Sequence, residues 1–235
     1  MGITTVLFDL DGTLLPMDQD VFVKDYLKRL AMRMAGHGYD PDALVAAIWA
    51  GTGVMVNNDG NKTNEEVFWD DFASRFGEKA REDEPKFDAF YREEFDKVRH
   101  VCGYSPEAAQ VIALVRRKGL RPVLATNPIF PAIATQKRIR WAGLEPSDFA
   151  HYTTYENCRY CKPNLNYYRD ILRKLGLQPE KCLMVGNDVG EDMVTRQLGM
   201  QVFLLTDCLI NKKNEDISQF PHGGFAELMA YIEAL

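Results

Sequence analysis

Residues 4–13 read TTVLFDLDGT, an apolar run that ends in two aspartates, a glycine and a threonine. A short, continuous apolar run bounded by turn-forming residues is typical of a strand that is buried on both faces, as strands of parallel sheets are. The sequence therefore predicts a first buried strand over Thr4–Leu10 with a polar turn directly after it.

The chain from residue 105 onwards alternates between helical and strand patterns. We predict helices at 106–118, 131–141, 164–175, 191–198 and 225–235, and strands at 122–126, 150–154, 182–185 and 201–205. Such alternation indicates a parallel sheet with helices on both faces. The predicted fold class is therefore α/β, with a Rossmann-like parallel sheet as its core.

Between the first strand and this alternating part lies a purely helical block. Helical spacing of apolar residues covers 21–35, 42–54, 64–76 and 86–101, and Thr63 with Glu66 forms a capping box that starts the third of these helices. A crossover between parallel strands needs only about a dozen residues. We therefore predict an inserted α-helical cap subdomain at 16–105, and a catalytic core built from 1–15 and 106–235.

Composition excludes several classes of function. The chain has 235 residues and a formal net charge of −6, which gives no basic footprint for nucleic acid. No apolar run approaches the roughly 20 residues that span a bilayer, so we expect a cytoplasmic protein with no membrane association. Five cysteines without a framework spacing indicate reduced thiols, and Cys158 and Cys161 lack a second pair that would complete a zinc site. Nothing in the sequence predicts an oligomeric state.

Polar residues follow the predicted strands at their carboxyl ends, where open parallel sheets bind their ligands. They are Asp9 and Asp11 after the first strand, Thr126 and Asn127 after the second, Asn187 and Asp188 after the fourth, and Lys162 on a loop before a helix. The topology thus predicts one polar site at this edge of the sheet.

These residue types suit phosphoryl transfer. Asp9 and Asp11 are two residues apart, so both carboxylates project to one side of an extended backbone. Together with Asp188 they make an oxygen site that suits Mg²⁺. A metal-neutralised carboxylate can attack phosphorus and form an aspartyl-phosphate, and a second carboxylate can give and take a proton. Thr126 and Lys162 are suited to binding phosphoryl oxygens, and Asn127 is a candidate for orienting the phosphoryl group.

At this point the sequence resembles the haloacid dehalogenase-like hydrolases. Four motifs of that family occur in order: Asp9-x-Asp11-Gly12-Thr13, a strand-ending Thr126, the pair Lys162-Pro163 before a helix, and the acidic loop from Asp188 to Asp192. The resemblance covers the whole chain, since the family carries a helical cap inserted after the first motif. It implies an Mg²⁺-dependent phosphoryl-transfer enzyme in which Asp9 resembles the nucleophile and Asp11 the general acid and base.

The fourth motif departs from the family pattern. Family members often have Gly-Asp at this point, whereas Gly186 is followed here by Asn187 and then Asp188. The metal ligand could therefore move by one position. We favour Asp188 as that ligand, with Asp192 helping to hold the site and Asn187 outside the metal's direct shell.

The expected activity is Mg²⁺-dependent hydrolysis of a small phosphorylated metabolite, a phosphomonoester whose identity the sequence does not reveal. A phosphomutase shares all four motifs and stays an alternative. Dehalogenation is disfavoured because dehalogenase members, as the resemblance implies, lack the second carboxylate that Asp11 supplies. A phospho-accepting regulatory or binding protein without turnover is the alternative from another class. The loop at 57–64 is either a surface loop or a cap loop that reaches over the site.

Overall fold

The computed structural model describes residues 2–235 and shows, among them, a five-stranded parallel sheet. Its strands lie in the order β2-β1-β3-β4-β5. Their bounds are Thr5–Phe8 for β1, Arg121–Leu124 for β2, Cys182–Gly186 for β3, Gln201–Leu205 for β4 and His222–Gly223 for β5. The predicted α/β fold with a parallel, Rossmann-like sheet is confirmed.

The register of the three neighbouring strands aligns their carboxyl ends. Phe8, the last residue of β1, lies opposite Leu124 on β2 and Val185 on β3. The amide of Asp9 still donates to the Val185 carbonyl at 2.9 Å, one step beyond the strand. The residues that follow β1, β2 and β3 therefore emerge at the same edge of the sheet.

Ten helical segments longer than three residues surround or extend the sheet, counted over residues 2–235, apart from one further 3-10 segment described below. They are α1 Gln19–Ala35, α2 Pro41–Val56, α3 Asn64–Phe76, α4 Lys79–Glu82, α5 Glu84–Glu93, a 3-10 helix Phe95–Val101, α6 Pro106–Arg117, α7 Ala132–Trp141, α8 Leu165–Leu175 and α9 Phe225–Glu233. Within the described residues, no helix combines the length and the apolarity that crossing a membrane requires.

The two faces of β1 pack into separate hydrophobic clusters. Val6 and Phe8 are buried in the cluster that holds residues of α6 and α9, whereas Leu7 is buried in the cluster that holds residues of α8. This alternation follows from the period of two in a strand. Because both faces are covered, β1 is apolar without interruption, which is the pattern that the sequence showed.

The chain enters and leaves the helical block side by side. Met17 pairs with Cys102 in an isolated antiparallel bridge, and the Gly103 amide donates to the Pro16 carbonyl at 2.7 Å. These contacts lie at the predicted limits of the inserted block, residues 16–105. The division into core and cap stays a prediction, and this pairing favours it.

Several predicted elements differ from those observed. The predicted strand at 150–154 is wrong: only Tyr152 bridges Leu124, and Asn157 holds the chain in a turn by accepting from the Thr154 amide. The predicted helix at 191–198 is a 3-10 helix, Met193–Leu198, in which Thr195 donates both its amide and its hydroxyl to the Asp192 carbonyl. The capping box of Thr63 and Glu66 is present as predicted.

Candidate active site

The first acidic residue after β1 is held by two polar neighbours. One carboxylate oxygen of Asp9, Oδ1, accepts from the Lys162 ammonium at 2.8 Å, and the other, Oδ2, accepts from the Thr13 hydroxyl at 3.2 Å. The turn that brings Thr13 back needs Gly12, which has a φ of +84°. A Cβ at Gly12 would lie 2.3 Å from Nδ2 of Asn187, so no other residue fits there.

The ammonium of Lys162 is buried between two carboxylates. Its Nζ lies 2.8 Å from Oδ1 of Asp9 and 2.6 Å from Oδ1 of Asp192. Burial alone would lower the pKa of Lys162, but the carboxylates of Asp192 and Asp9 raise this pKa well above its usual value. A permanent positive charge is therefore fixed against Asp9.

The second acidic residue, Asp11, has a different partner. Its Oδ2 accepts from the guanidinium of Arg138, and its Oδ1 is buried with no hydrogen-bond partner among the described residues. Burial raises the pKa of Asp11, although the charge of Arg138 acts in the opposite direction. The site thus contains one carboxyl group whose surroundings favour retention of a proton.

Sequence reasoning did not single out Arg138. The residue lies on α7, fully buried, with Nε donating to the Ala134 carbonyl and a second guanidinium nitrogen donating to the Thr135 hydroxyl. Its position four residues after Ala134, on the apolar side of a helix next to Ile139, was the available signal. A charged residue in such a position needs a buried counter-charge, which Asp11 supplies.

The loop after β3 carries the residues of the fourth motif. Asn187 is buried and donates to the Cys208 carbonyl at 2.7 Å, while its Oδ1 accepts from Thr13 at 3.0 Å. One oxygen of Asp188, Oδ1, accepts from the amides of Gly190 and Glu191 at 2.7 and 3.0 Å. Asn187 therefore ties this loop to the turn after β1, and Asp188 Oδ2 has no protein partner among the described residues.

The residues after β2 complete the arrangement. The Thr126 carbonyl accepts from the hydroxyls of Thr153 and Tyr167 at 2.7 and 2.8 Å, which fixes the backbone at this point. Asn127 accepts from the Lys162 amide at 3.3 Å and donates to Glu191 at 3.2 Å. Sequence reasoning did not identify Glu191, whose pKa is raised by burial.

These side chains surround a cavity of about 610 Å³. Of the predicted site residues, Asp9, Asp11, Thr126, Asn127 and Asp188 line it, whereas Lys162 lies buried behind Asp9. The facing wall comes from the helical block and consists of Gln19, Asp20, Phe22, Val23, Lys24, Leu27, Lys28, Val45 and Trp49. The structure thus brings the predicted residues together at one cavity, while their chemical roles stay predictions.

No group of three or more His, Cys, Asp or Glu side chains is gathered into a preformed metal site within residues 2–235. The pair Cys158 and Cys161 accordingly has no companion ligands there, and both thiols are free. Burial raises the pKa of Cys158 to about 12, so this thiol stays protonated at neutral pH. Two ordinary thiols remain the interpretation of this pair.

The loop at 57–64 does not line the cavity. It contacts the segment before Lys162 instead: the Asn64 amide donates to the Cys158 carbonyl at 2.8 Å, and Asn64 Nδ2 donates to Cys161 Sγ at 3.3 Å. Tyr160 donates to the Asp59 carbonyl at 3.3 Å in the same contact. The cavity is therefore faced by α1 and α2 rather than by this loop.

Comparison with known proteins gives a family and a fold. A model of the haloacid dehalogenase-like hydrolase family matches residues 3–194. The glyceraldehyde 3-phosphate phosphatase of Methanothermobacter thermautotrophicus is 24% identical over 115 residues, which cover 48% of this chain and 50% of that protein. The chain thus matches about half the length of this curated relative.

Solved structures of both phosphatases and dehalogenases resemble the whole chain. A HAD phosphatase from Thermococcus onnurineus has a TM-score of 0.61 at 17% identity and covers 98% of both chains. The L-2-haloacid dehalogenase from Xanthobacter autotrophicus has a TM-score of 0.60 at 15% identity and covers 99% of both chains. At such identities the likeness extends to the fold alone.

Proposed function

The chain belongs to the haloacid dehalogenase-like hydrolase family, and from that premise we propose that it is a phosphatase that hydrolyses a small phosphomonoester with the help of Mg²⁺. Asp9 acts as the nucleophile and Asp11 as the general acid and base. In this proposal residues 16–105 form a cap over a core built from 1–15 and 106–235.

The observation that carries the proposal is the different setting of two neighbouring carboxyl groups at one cavity. Asp9 lies against the Lys162 ammonium, which favours its ionised form, while burial raises the pKa of Asp11. A pair of carboxyl groups whose environments differ in this way suits one nucleophile and one acid. Dehalogenation has no use for the second carboxyl group, so its presence favours phosphate ester hydrolysis.

The residues present fit Mg²⁺. Asp9, Asp11 and Asp188 face the same cavity, and Oδ1 of Asp11 is a buried oxygen without a partner among the described residues. Mg²⁺ typically takes one or two protein carboxylates together with waters and substrate phosphate, so it does not require a preassembled cluster of three. Bound there, Mg²⁺ would offset the negative charge of the phosphate and of Asp9.

The chain's own residues would carry out the reaction in two steps. In the first, an oxygen of Asp9 attacks phosphorus, the bond from phosphorus to the ester oxygen breaks, and the departing alkoxide takes the proton of Asp11. In the second, Asp11 takes a proton from water as that water attacks phosphorus, and the bond to Asp9 breaks to release phosphate. Asp11 ends protonated and Asp9 ionised, as both began.

Three further residues would position the phosphoryl group. Thr126 lies at the cavity with its backbone fixed by two hydrogen bonds, and Asn127 lies beside it. Lys162 would bind a phosphoryl oxygen as Asp9 loses its negative charge, since its ammonium stays paired with Asp192.

The test is phosphate release from an aryl phosphate and from a panel of phosphorylated metabolites that includes glyceraldehyde 3-phosphate. Wild type, Asp9→Asn and the exposed control Asp88→Asn are compared, each with Mg²⁺ or with EDTA. We expect turnover that needs Mg²⁺, survives in Asp88→Asn and falls by about a thousandfold or more in Asp9→Asn. Substantial activity in Asp9→Asn would overturn Asp9 as the nucleophile.

A further inference from the structure

The active-site cavity has two chemically different walls. One is built from the carboxylates and polar side chains that follow β1, β2 and β3. The opposite wall is apolar and is formed by Phe22, Val23, Leu27, Val45, Trp49, Ile129 and Phe130. We propose that this wall binds the organic part of the substrate, so that the preferred substrate is a phosphomonoester of an apolar alcohol, either aryl or alkyl. This inference rests on the proposed phosphatase function.

The most exposed member of the apolar wall is Trp49. It is 54% exposed although it is one of the largest apolar side chains, and it belongs to none of the aromatic pairs formed within residues 2–235. An exposed aromatic ring at the edge of a small-molecule cavity offers a flat surface on which an apolar group can pack. Trp49 is therefore the main contact in the proposal.

Empty apolar space continues behind this wall. A second cavity of about 80 Å³ lies between α1, α2 and α3, and Val23, Leu27, Trp49, Ile129 and Phe130 line both cavities. A small rotation of the Trp49 ring would join the two spaces. A longer apolar group could then extend between the helices, so affinity should increase with the length of an alkyl chain.

A sugar phosphate would fit this wall poorly. Its hydroxyl groups would lie against side chains that carry no hydrogen-bonding atoms, and a hydroxyl that loses water without gaining a partner weakens binding. The charged side chains Lys24, Lys28 and Lys212 also line the cavity, and none takes part in an ion pair within the described residues. They are exposed lysines that would attract a phosphate anion to the cavity.

The test compares two primary alkyl phosphates whose leaving groups are similar, 3-phenylpropyl phosphate and glycerol 3-phosphate. We expect kcat/KM to favour 3-phenylpropyl phosphate by about tenfold or more in the wild type. In Trp49→Ala that preference should fall to less than about threefold, through the loss of activity on the phenylpropyl ester. Trp49→Phe keeps an aromatic ring and should retain most of the preference.

The matched control is Met32→Ala. Met32 is an exposed apolar residue of α1, 69% exposed, and does not line the cavity. It should leave both kcat/KM values unchanged. Equal kcat/KM values for the two esters in the wild type, or an unchanged preference in Trp49→Ala, would overturn the proposal.

A binding measurement separates this inference from the phosphatase proposal. Calorimetry of the wild type with 3-phenylpropylphosphonate and with 2,3-dihydroxypropylphosphonate needs no turnover. If no ester is hydrolysed but the phenylpropyl compound binds at least about tenfold tighter, and Trp49→Ala abolishes the difference, the phosphatase proposal fails and the apolar site stands. Equal affinities would remove the apolar site whatever the enzyme hydrolyses.

Discussion

Two clusters of buried charge occur in different parts of this molecule, and they are built in opposite ways. In the candidate active site a cation, Lys162, lies between the carboxylates of Asp9 and Asp192. In the helical block an anion, Asp83, lies between the ammonium groups of Lys79 and Lys86. Both clusters satisfy the rule that a buried charge needs a partner.

The two clusters differ in how they are assembled and in what they face. The partners of Asp83 are three and four residues away in sequence, and the two lysine side chains are 43% and 49% exposed. The partners of Lys162 come from other loops of the sheet, the three side chains are at most 10% exposed, and Asp9 opens onto the cavity. A local cluster with solvated ends stabilises structure, whereas one assembled from distant loops beside a cavity indicates function.

The largest effect is expected from Lys162→Met. It removes the only cation between two buried carboxylates, so we expect a loss of about 3–5 kcal/mol in the free energy of unfolding. Phosphate release should fall by about a thousandfold, because Asp9 loses the charge that fixes its carboxylate. Urea denaturation and steady-state kinetics measure the two effects.

The matched control for that variant is Lys86→Met in the other cluster. Asp83 keeps Lys79 as a partner there, so the loss of stability should stay below about 1 kcal/mol with kcat unchanged. Similar losses of stability in Lys162→Met and Lys86→Met would contradict the distinction between the two clusters.

A smaller effect is expected from Arg138→Leu, which removes the buried partner of Asp11. Because the Asp11 carboxyl group then lacks its only hydrogen-bond donor, we expect a fall in kcat of about ten- to a hundredfold with little change in KM. The free energy of unfolding should fall by about 2–4 kcal/mol. A KM that rises in proportion while kcat stays constant would place Arg138 in substrate binding instead.

Arg138→Lys tests whether charge alone is sufficient. The guanidinium of Arg138 reaches three partners: Asp11, Thr135 and the Ala134 carbonyl. A lysine can keep the ion pair with Asp11 but cannot reproduce this planar arrangement. We therefore expect Arg138→Lys to recover part of the kcat lost in Arg138→Leu, and no recovery would show that the geometry matters more than the charge.

The sequence predicted the sheet and the cavity residues because their signals are local. The apolar run before Asp9 and the polar ends of later strands require only the period of a strand and the direction of a parallel sheet. The contact of Lys162 with Asp192 was not predicted, since these residues are 30 positions apart and only the fold brings them together. Asp192 was predicted only as a residue that helps to hold the site.

The parts that were missed depend on tertiary contacts. The pairing of Arg138 with Asp11 spans 127 positions and leaves no local pattern. The predicted strand at 150–154 has suitable residues, but the side chain of Asn157 caps a turn there and the ladder stops after one bridge. The Lys79, Asp83 and Lys86 cluster has helical spacing that could have been recognised from sequence.

The smallest effect is expected from Asp83→Asn, and it carries a pH signature. Burial raises the pKa of Asp83, but the hydrogen bonds from Lys79 and Lys86 outweigh this effect and hold the pKa at about 2, below the ordinary value of 3.8. A carboxyl group with a lowered pKa stabilises the folded state above its unfolded pKa, and this stabilisation is lost as the pH falls through the folded pKa. The contribution of Asp83 is therefore present above about pH 4 and disappears towards pH 2.

Asp83→Asn should accordingly lower the free energy of unfolding by about 1–2 kcal/mol at pH 7 and leave kcat unchanged. The difference between the variant and the wild type should shrink between about pH 4 and pH 2, because protonation removes the same charge from the wild type. Denaturation curves across this range measure it. A difference that stays constant down to pH 2 would mean that the charge of Asp83 is not what stabilises the helical block. A loss of kcat would mean that its cluster communicates with the cavity after all.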